Sequence, residues 1–254
     1  MNNLEGQYKI IIQARNGSSR LPQKMVKPFY KGKTILQILI ERLQKKVDYP
    51  IWLATTDSSI DDELVKTVDN YEINVFRGNE EDVFSRFTKI LKKEPSNYFI
   101  RICGDNPFMH SAFLKKLINQ SNGYDYTSFY DGLTPTIKTH YGIFGEVIRS
   151  RSLLEFEAIN IETNIKEHVT PFLYENENQQ YRINKISLPE ELKGFDNLRL
   201  TVDTEEDFEL AQELYAKHCI KDGIDYDLIN LLNDIRKYYS IQEKMNQQIK
   251  QNSK

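Results

Sequence analysis

The sequence predicts an α/β fold, a three-layer sandwich around a mixed, mostly parallel sheet, and three observations carry the prediction. Apolar runs of strand length recur in the N-terminal half: YKIIIQA from Tyr8, IWLAT from Ile51, INVF from Ile73 and YFIRIC from Tyr98. Segments with helical spacing separate them, so strands and helices alternate, which implies right-handed crossovers with helices on both faces of the sheet. The chain has 254 residues, of which 39 % are hydrophobic and 11 % aromatic, enough to bury a sizeable core.

Each element follows from its local pattern. The first run is apolar throughout, as a strand buried on both faces must be. ILQILIERL, after Thr34, has the spacing of a helix, DDELVKTV reads as a helix opened by acids, and EDVFSRFTKILKK is amphipathic. Beyond residue 123 the alternation loosens. YDYTSFY, GIFGEVI, YRINKISL and LRLTV read as strands, RSLLEFEAI and KEHVTPFLY as helices. TEEDFELAQELYAKH is a helix with Thr204 as its N-cap and acids in its first turn, and DYDLINLLNDIRKYYSIQEKMNQQ is one long final helix. No linker divides the chain, so residues 1–247 read as one domain and 248–254 as a disordered tail.

Composition narrows the function classes. A net charge of −3 with acids and bases interspersed gives no global field for nucleic acid or an anionic membrane, so any anion binding is local. The N-terminus has no apolar h-region, and no stretch approaches the roughly 18 consecutive apolar residues of a membrane helix. Two cysteines, Cys103 and Cys219, without a pairing pattern suit a reducing compartment, hence a cytoplasmic protein. His110, His140 and His218 have no metal-ligand spacing.

Three constellations can carry chemistry. QARNGSSRLPQK follows the first strand, where an open α/β sheet gathers phosphates. There Gly17 admits a close anion, Ser18 and Ser19 offer donors, and Arg15, Arg20 and Lys24 supply charge, although neither GxxxxGK[ST] nor GxGxxG is present. A solvated basic loop with a turn at Pro22 is the plain alternative. CGDNP ends another buried strand, with Asp105 placed either to hold Mg²⁺ against phosphate or to cap the helix beyond Pro107. LTVDTEED puts Asp203 at a third strand end, as a second metal carboxylate or a turn residue, with Asp207 on the solvated face of its helix. Cys103 and Trp52 read as core residues.

IIQARNGSSRLPQK, the ATTD after the second strand, FRGNEEDVFSRF, IRICGDNP, GIFGEVI, KEHVTPF and LTVDTEED, in this order, resemble the cytidylyltransferase family of spore-coat polysaccharide biosynthesis proteins. That family is related to the 3-deoxy-manno-octulosonate and acylneuraminate cytidylyltransferases. The resemblance runs from about Tyr8 to about His218. It implies a nucleotide-diphospho-sugar transferase-like (Rossmann-like) fold, CTP as substrate, Mg²⁺ as cofactor and release of pyrophosphate. Ala14, Arg15, Gly17, Ser18, Ser19, Arg20 and Lys24 would hold the triphosphate, and Ala54, Thr55 and Asp57 would lie near the base. Arg77, Gly78, Asp82, Arg86 and Gly104 would line the nucleotide pocket. Asp105 and Asp203 would be the metal carboxylates, catalytic together with Arg15 and Lys24. Arg101, Glu146, Glu167 and His168 would face the acceptor, with His168 able to orient or deprotonate a hydroxyl.

Two departures stand out: Asn16 and Gln23 occupy positions where relatives usually carry methionine and glycine, and the stretch between Thr127 and Tyr141 differs most. The implied reaction transfers CMP from CTP to an anionic acceptor (a sugar acid, a sugar phosphate, or another phosphate or phosphonate) in surface polysaccharide precursor synthesis, in a protein that relatives suggest is a homodimer. Transfer of another nucleotide such as GMP to a sugar 1-phosphate, and a non-catalytic nucleotide sensor, are the alternatives.

Overall fold

A computed structural model describes residues 7–159, 169–175, 180–195, 197–220 and 222–252. Its centre is an eight-stranded sheet. The strands are β1 Tyr8–Gln13, β2 Ile51–Thr56, β3 Asn74–Gly78, β4 Tyr98–Cys103, β5 Tyr126–Asp131, β6 Thr134–Pro135, β7 Glu146–Arg149 and β8 Ile183–Ser187. They lie in the order β3-β2-β1-β4-β7-β5-β6, with β8 also paired to β5. The first four strands are mutually parallel, β7 is antiparallel to both its neighbours, and β8 is parallel to β5. The carboxyl ends of β1, β2, β3 and β4 therefore open on one edge.

The alternation within β1 shows why its run is uniformly apolar. Ile10 and Ile12 join one core cluster and Ile11 the other, all fully buried. The larger cluster packs under helices α1 Ile35–Lys46 and α4 Ser111–Gln120, and under α7 Glu205–His218 and α8 Leu228–Lys237. The smaller packs under α3 Val83–Lys93, α5 Ser150–Ile159 and the single turn α6 Pro171–Tyr174. The short α2, Asp62–Lys66, follows β2, and α9, Tyr239–Gln251, ends the described chain. Thr34 and Gln37 form a capping box that starts α1, and Thr204 and Asp207 form one that starts α7. No helix among the described residues is long and apolar enough to cross a membrane.

Several boundaries differ from expectation. The GIFGEVI segment is a strand only from Glu146. LRLTV is extended but forms no ladder; Leu200 N–H donates to the His140 carbonyl at 2.9 Å instead, so no sheet neighbour is available to it. Gly142, at φ 64, makes that approach possible, because a Cβ there would meet the Leu200 carbonyl carbon at 2.6 Å. The final helix breaks at Tyr238 into α8 and α9, and α9 continues past residue 248, where a disordered tail is expected, because Met245 on its inner face is buried in the core.

Candidate functional site

The loop after β1 curls into a cavity of about 340 Å³ at the carboxyl edge of the sheet. Gln13, Ala14, Arg15, Gly17, Ser18, Ser19, Arg20 and Lys24 line it, facing Arg86, Cys103, Asp105 and Asp203. The segments predicted to carry phosphate and metal chemistry thus meet in one place. Asp61, fully buried in the turn after β2, sets the loop's starting direction. Its carboxylate accepts from Asn16 N at 2.6 Å, Thr55 Oγ1 at 2.9 Å, and Thr56 N and Oγ1 at 3.1 and 2.5 Å. Gln23 has φ 59, the left-handed region that favours glycine.

Lys24 is the hub. Its ammonium donates to Asp105 Oδ2 at 2.6 Å and to the Val202 carbonyl at 2.7 Å, tying the end of β4 to the segment carrying Asp203. Asp105 caps no helix, since α4 starts later, after His110. The loop following Asp105 is fastened from behind by Arg42 of α1, a fully buried guanidinium that donates to the Pro107, Met109 and Ile224 carbonyls. Gly104 is needed for packing: a Cβ there would meet Ala14 Cβ at 2.8 Å.

Asp203 is held from two sides, by Arg20 Nη2 at 3.3 Å and Arg199 Nη2 at 3.1 Å. Arg199 also forks onto Asp207 at 2.7 and 2.6 Å. Asp207 is buried, not solvated as the helical spacing suggests, because it is both the capping-box residue and the counter-ion of buried Arg199. Burial pushes the Asp207 carboxyl up, but Arg199 and the Asp203 and Thr204 N–H groups win and hold it below its ordinary value. The Thr204-x-x-Asp207 spacing is the signal that could have found it. Arg20 Nη1 additionally donates to Asn252 at the end of α9, a contact nothing in the motif pattern announces.

Arg86 differs from the other cations. It is buried, its Nε and Nη1 have no hydrogen-bond partner among the described residues, and burial together with nearby Arg15 pushes its pKa down to about 10. Gly78 makes room for it, since a Cβ would sit 3.0 Å from Arg86 Cγ. Asp82 caps α3 by accepting from Ser85 N at 2.9 Å, so it orients the helix that carries Arg86. Arg15 reaches Glu80, at 3.8 Å between charged atoms.

Other expected residues do not line this cavity. Arg77 is tied to the turn after β2, donating to the Thr56 and Ser58 carbonyls and pairing with Asp62 at 2.6 Å. Ala54 and Thr55 are fully buried within β2, and Asp57 is exposed, its N–H donating to the Gly78 carbonyl. Cys103, read as a core residue, is half-buried and lines the cavity, whereas Trp52 is in the core.

Arg101 and Glu146 are register partners on β4 and β7 and form a buried ion pair at 2.6 Å just beneath the cavity. Glu146 also accepts from Tyr126 Oη at 2.5 Å and Thr170 Oγ1 at 3.1 Å. Burial disfavours the Arg101 charge, yet Glu146 holds its pKa above the ordinary value, and burial with Glu146 pushes Tyr130 up to about 12. Glu167 and His168 lie outside the described residues.

Among the described residues no cluster of three or more His, Cys, Asp or Glu side chains could enclose a metal ion. Asp105 and Asp203 line one cavity, each already paired with cations, so an Mg²⁺ ion that takes one or two protein carboxylates would have to share or displace the contacts from Lys24 and Arg20.

Comparison with known proteins agrees with this architecture. The chain is 34 % identical over 232 residues to the spore coat polysaccharide biosynthesis protein SpsF of Bacillus subtilis strain 168, covering 88 % of this chain and 92 % of that protein. The structure of a cytidylyltransferase from Leptospira borgpetersenii superposes with a TM-score of 0.79 at 25 % identity, covering 92 % of this chain and 96 % of that one. A CMP:2-keto-3-deoxy-manno-octonic acid synthetase solved with CTP shares the fold, with a TM-score of 0.60 at 16 % identity over 83 % of this chain and 99 % of that one. With the sequence model of that family matching residues 9–244, the chain belongs to the cytidylyltransferases and has their nucleotide-diphospho-sugar transferase-like fold.

Proposed function

We propose that this protein transfers CMP from CTP to an anionic acceptor and releases pyrophosphate, as a cytoplasmic step in making surface polysaccharide precursors. One observation carries the reading: among the described residues a buried guanidinium, Arg86, lacks partners for two of its nitrogens beside a cavity that also gathers Arg15, Arg20 and Lys24. Asp61, Asp82 and Glu80 offset part of its charge, but buried N–H donors left without acceptors are costly unless an anion completes them, and a triphosphate is an anion of fitting charge and reach.

In the reaction an acceptor oxygen attacks the α-phosphorus of CTP, the bond to the bridging oxygen of the β-phosphate breaks, and pyrophosphate leaves with that electron pair. The acceptor proton passes to solvent or to a base. Arg15, Arg20, Lys24 and Arg86 neutralise the departing phosphates; the Asp61-anchored loop positions the first three, and α3 positions Arg86, before substrate arrives. Mg²⁺ held by Asp105 and Asp203 would neutralise the α-phosphate and polarise the attacking oxygen. The basic loop and carboxylates suit any nucleoside triphosphate, so CTP rests on family membership and on the CTP named for the structural relative.

The test is pyrophosphate release from CTP, GTP, UTP and ATP in turn, each with sugar-acid, sugar-phosphate and phosphonate acceptors. CTP-dependent release that EDTA abolishes and Mg²⁺ restores supports the reading. Preference for GTP would replace it with the guanylyl alternative, and tight CTP binding without release on any acceptor would make the protein a sensor.

A further inference from the structure

We infer that Gln13 is a nucleotide-contacting residue whose side-chain amide is set as a fixed pair of N–H donors by the buried Arg101–Glu146 ion pair beneath it. The inference rests on the cavity being the nucleotide site.

Gln13 is the last residue of β1 and the first to line the cavity, beside Cys103, its register partner on β4. Arg101 donates to Gln13 Oε1 twice, from Nε at 3.1 Å and from Nη2 at 3.0 Å. A guanidinium has donors only, so the oxygen of the carboxamide must face it and the amide nitrogen must take the other side. The orientation is thus dictated by chemistry rather than by which atom was called nitrogen.

Arg101 cannot swing away to release that constraint. Its Nη1 is engaged by Glu146, which is fully buried and further held by Tyr126 and Thr170. Every group in the chain from Thr170 to Gln13 is therefore occupied on its inner side. Among the described residues the Gln13 amide nitrogen has no hydrogen-bond partner, and the cavity is the space it borders. A donor pair held this way binds an oxygen without paying for its own ordering. Because Gln13 adjoins the basic loop and the strand end that leads to Asp105, the oxygen it meets belongs to the nucleotide's reacting end. Gln13 would touch substrate, and Arg101 is a positioning residue acting through it.

The test uses the full chain and calorimetric titration with CTP and Mg²⁺, alongside thermal denaturation. Gln13→Glu keeps the acceptor that Arg101 needs but offers the cavity a charged oxygen in place of N–H donors. It should melt at or above the wild-type temperature and bind CTP at least about tenfold more weakly, the scale of a lost hydrogen bond to a charged oxygen. Gln13→Met, near in shape and free of charge, should weaken binding about threefold or more and keeps the test open if the first variant folds poorly. Arg101→Lys should weaken binding too, and the double variant Gln13→Met/Arg101→Lys should lose no more than the worse single one, as coupled residues do. Additive losses would make Arg101 merely structural and overturn the positioning half of the inference. Wild-type CTP affinity in both Gln13 variants overturns the Gln13 contact alone, whereas a wild-type chain that binds no nucleotide overturns the functional reading and the inference together.

Discussion

The Lys24 ammonium stands 2.6 Å from the Asp105 carboxylate and 2.7 Å from the Val202 carbonyl oxygen, so one side chain of the first loop joins the end of β4 to a segment remote from it in sequence. Asp203 follows Val202 directly, and both acids line the cavity that Lys24 enters. Asp105 and Asp203 are thus already paired with Lys24, Arg20 and Arg199, which offsets part of the repulsion among the gathered cations before substrate binds.

Lys24→Met should therefore do two things. It removes a cation from the phosphate site and frees Asp105, so pyrophosphate release from CTP should fall by about 100-fold or more. A pyrophosphate-release assay on the purified variant measures it; activity within tenfold of wild type would remove Lys24 from the catalytic set.

Arg86→Met separates binding from stability. Replacing a buried, incompletely paired cation by an apolar chain of similar length should stabilise the fold by about 1 to 3 kcal/mol, a rise of several degrees in Tm for a chain this size. Calorimetry should meanwhile find CTP binding weakened by at least about tenfold. A clear fall in Tm would mean the guanidinium has a structural partner.

Asp61→Asn tests the loop's anchor. The carboxylate accepts four hydrogen bonds, and an amide of the same shape turns one oxygen into a donor facing other donors. Chemical denaturation should show a loss of about 2 to 3 kcal/mol, and CTP affinity should drop with it although Asp61 does not line the cavity.

His110 predicts an acid-side slope in stability. Burial, then the Arg42 charge, push this histidine below its ordinary value of 6.5, with Lys46 adding to the effect and Asp225 and Glu191 opposing it. Above pH 6.5 both folded and unfolded chains hold it neutral and there is no penalty. As pH falls through that value the unfolded chain binds a proton the folded one refuses, so stability declines, by up to about 1.4 kcal/mol per pH unit. Denaturation at a series of pH values should show the decline in wild type and a flatter profile in His110→Leu. Parallel profiles would assign the slope to other groups.

Much of this site was legible in advance because its parts are local. The strand-loop-charge pattern at Gln13 to Lys24 and the CGDNP and LTVDTEED motifs each declare themselves by short-range composition, and residues of all three line one cavity. Arg77 shows the limit of that legibility. A conspicuous arginine at a strand end looks like a ligand contact, yet it staples the turn after β2, since only the fold decides which carbonyls lie within its reach. Asp207 shows the reverse, a helix-face acid made interior by its salt bridge to Arg199. The end of α9 likewise gains what no local pattern shows, since Met245 enters the core and Asn252 meets Arg20.

The sequence by itself determined the alternation of buried strands and amphipathic helices, the direction of the parallel strands and hence the edge where ligands gather, and which loops carry charge. Those properties depend on periodicity and residue chemistry within a few positions. Only the tertiary structure decided which groups meet: Lys24 with Asp105, Arg101 with Gln13 and Glu146, and Arg86 with no partner among the described residues at two of its nitrogens. Electrostatic and hydrogen-bond energies fall off over a few ångströms, so they are set by distances between segments remote in the chain, and no local pattern encodes those distances.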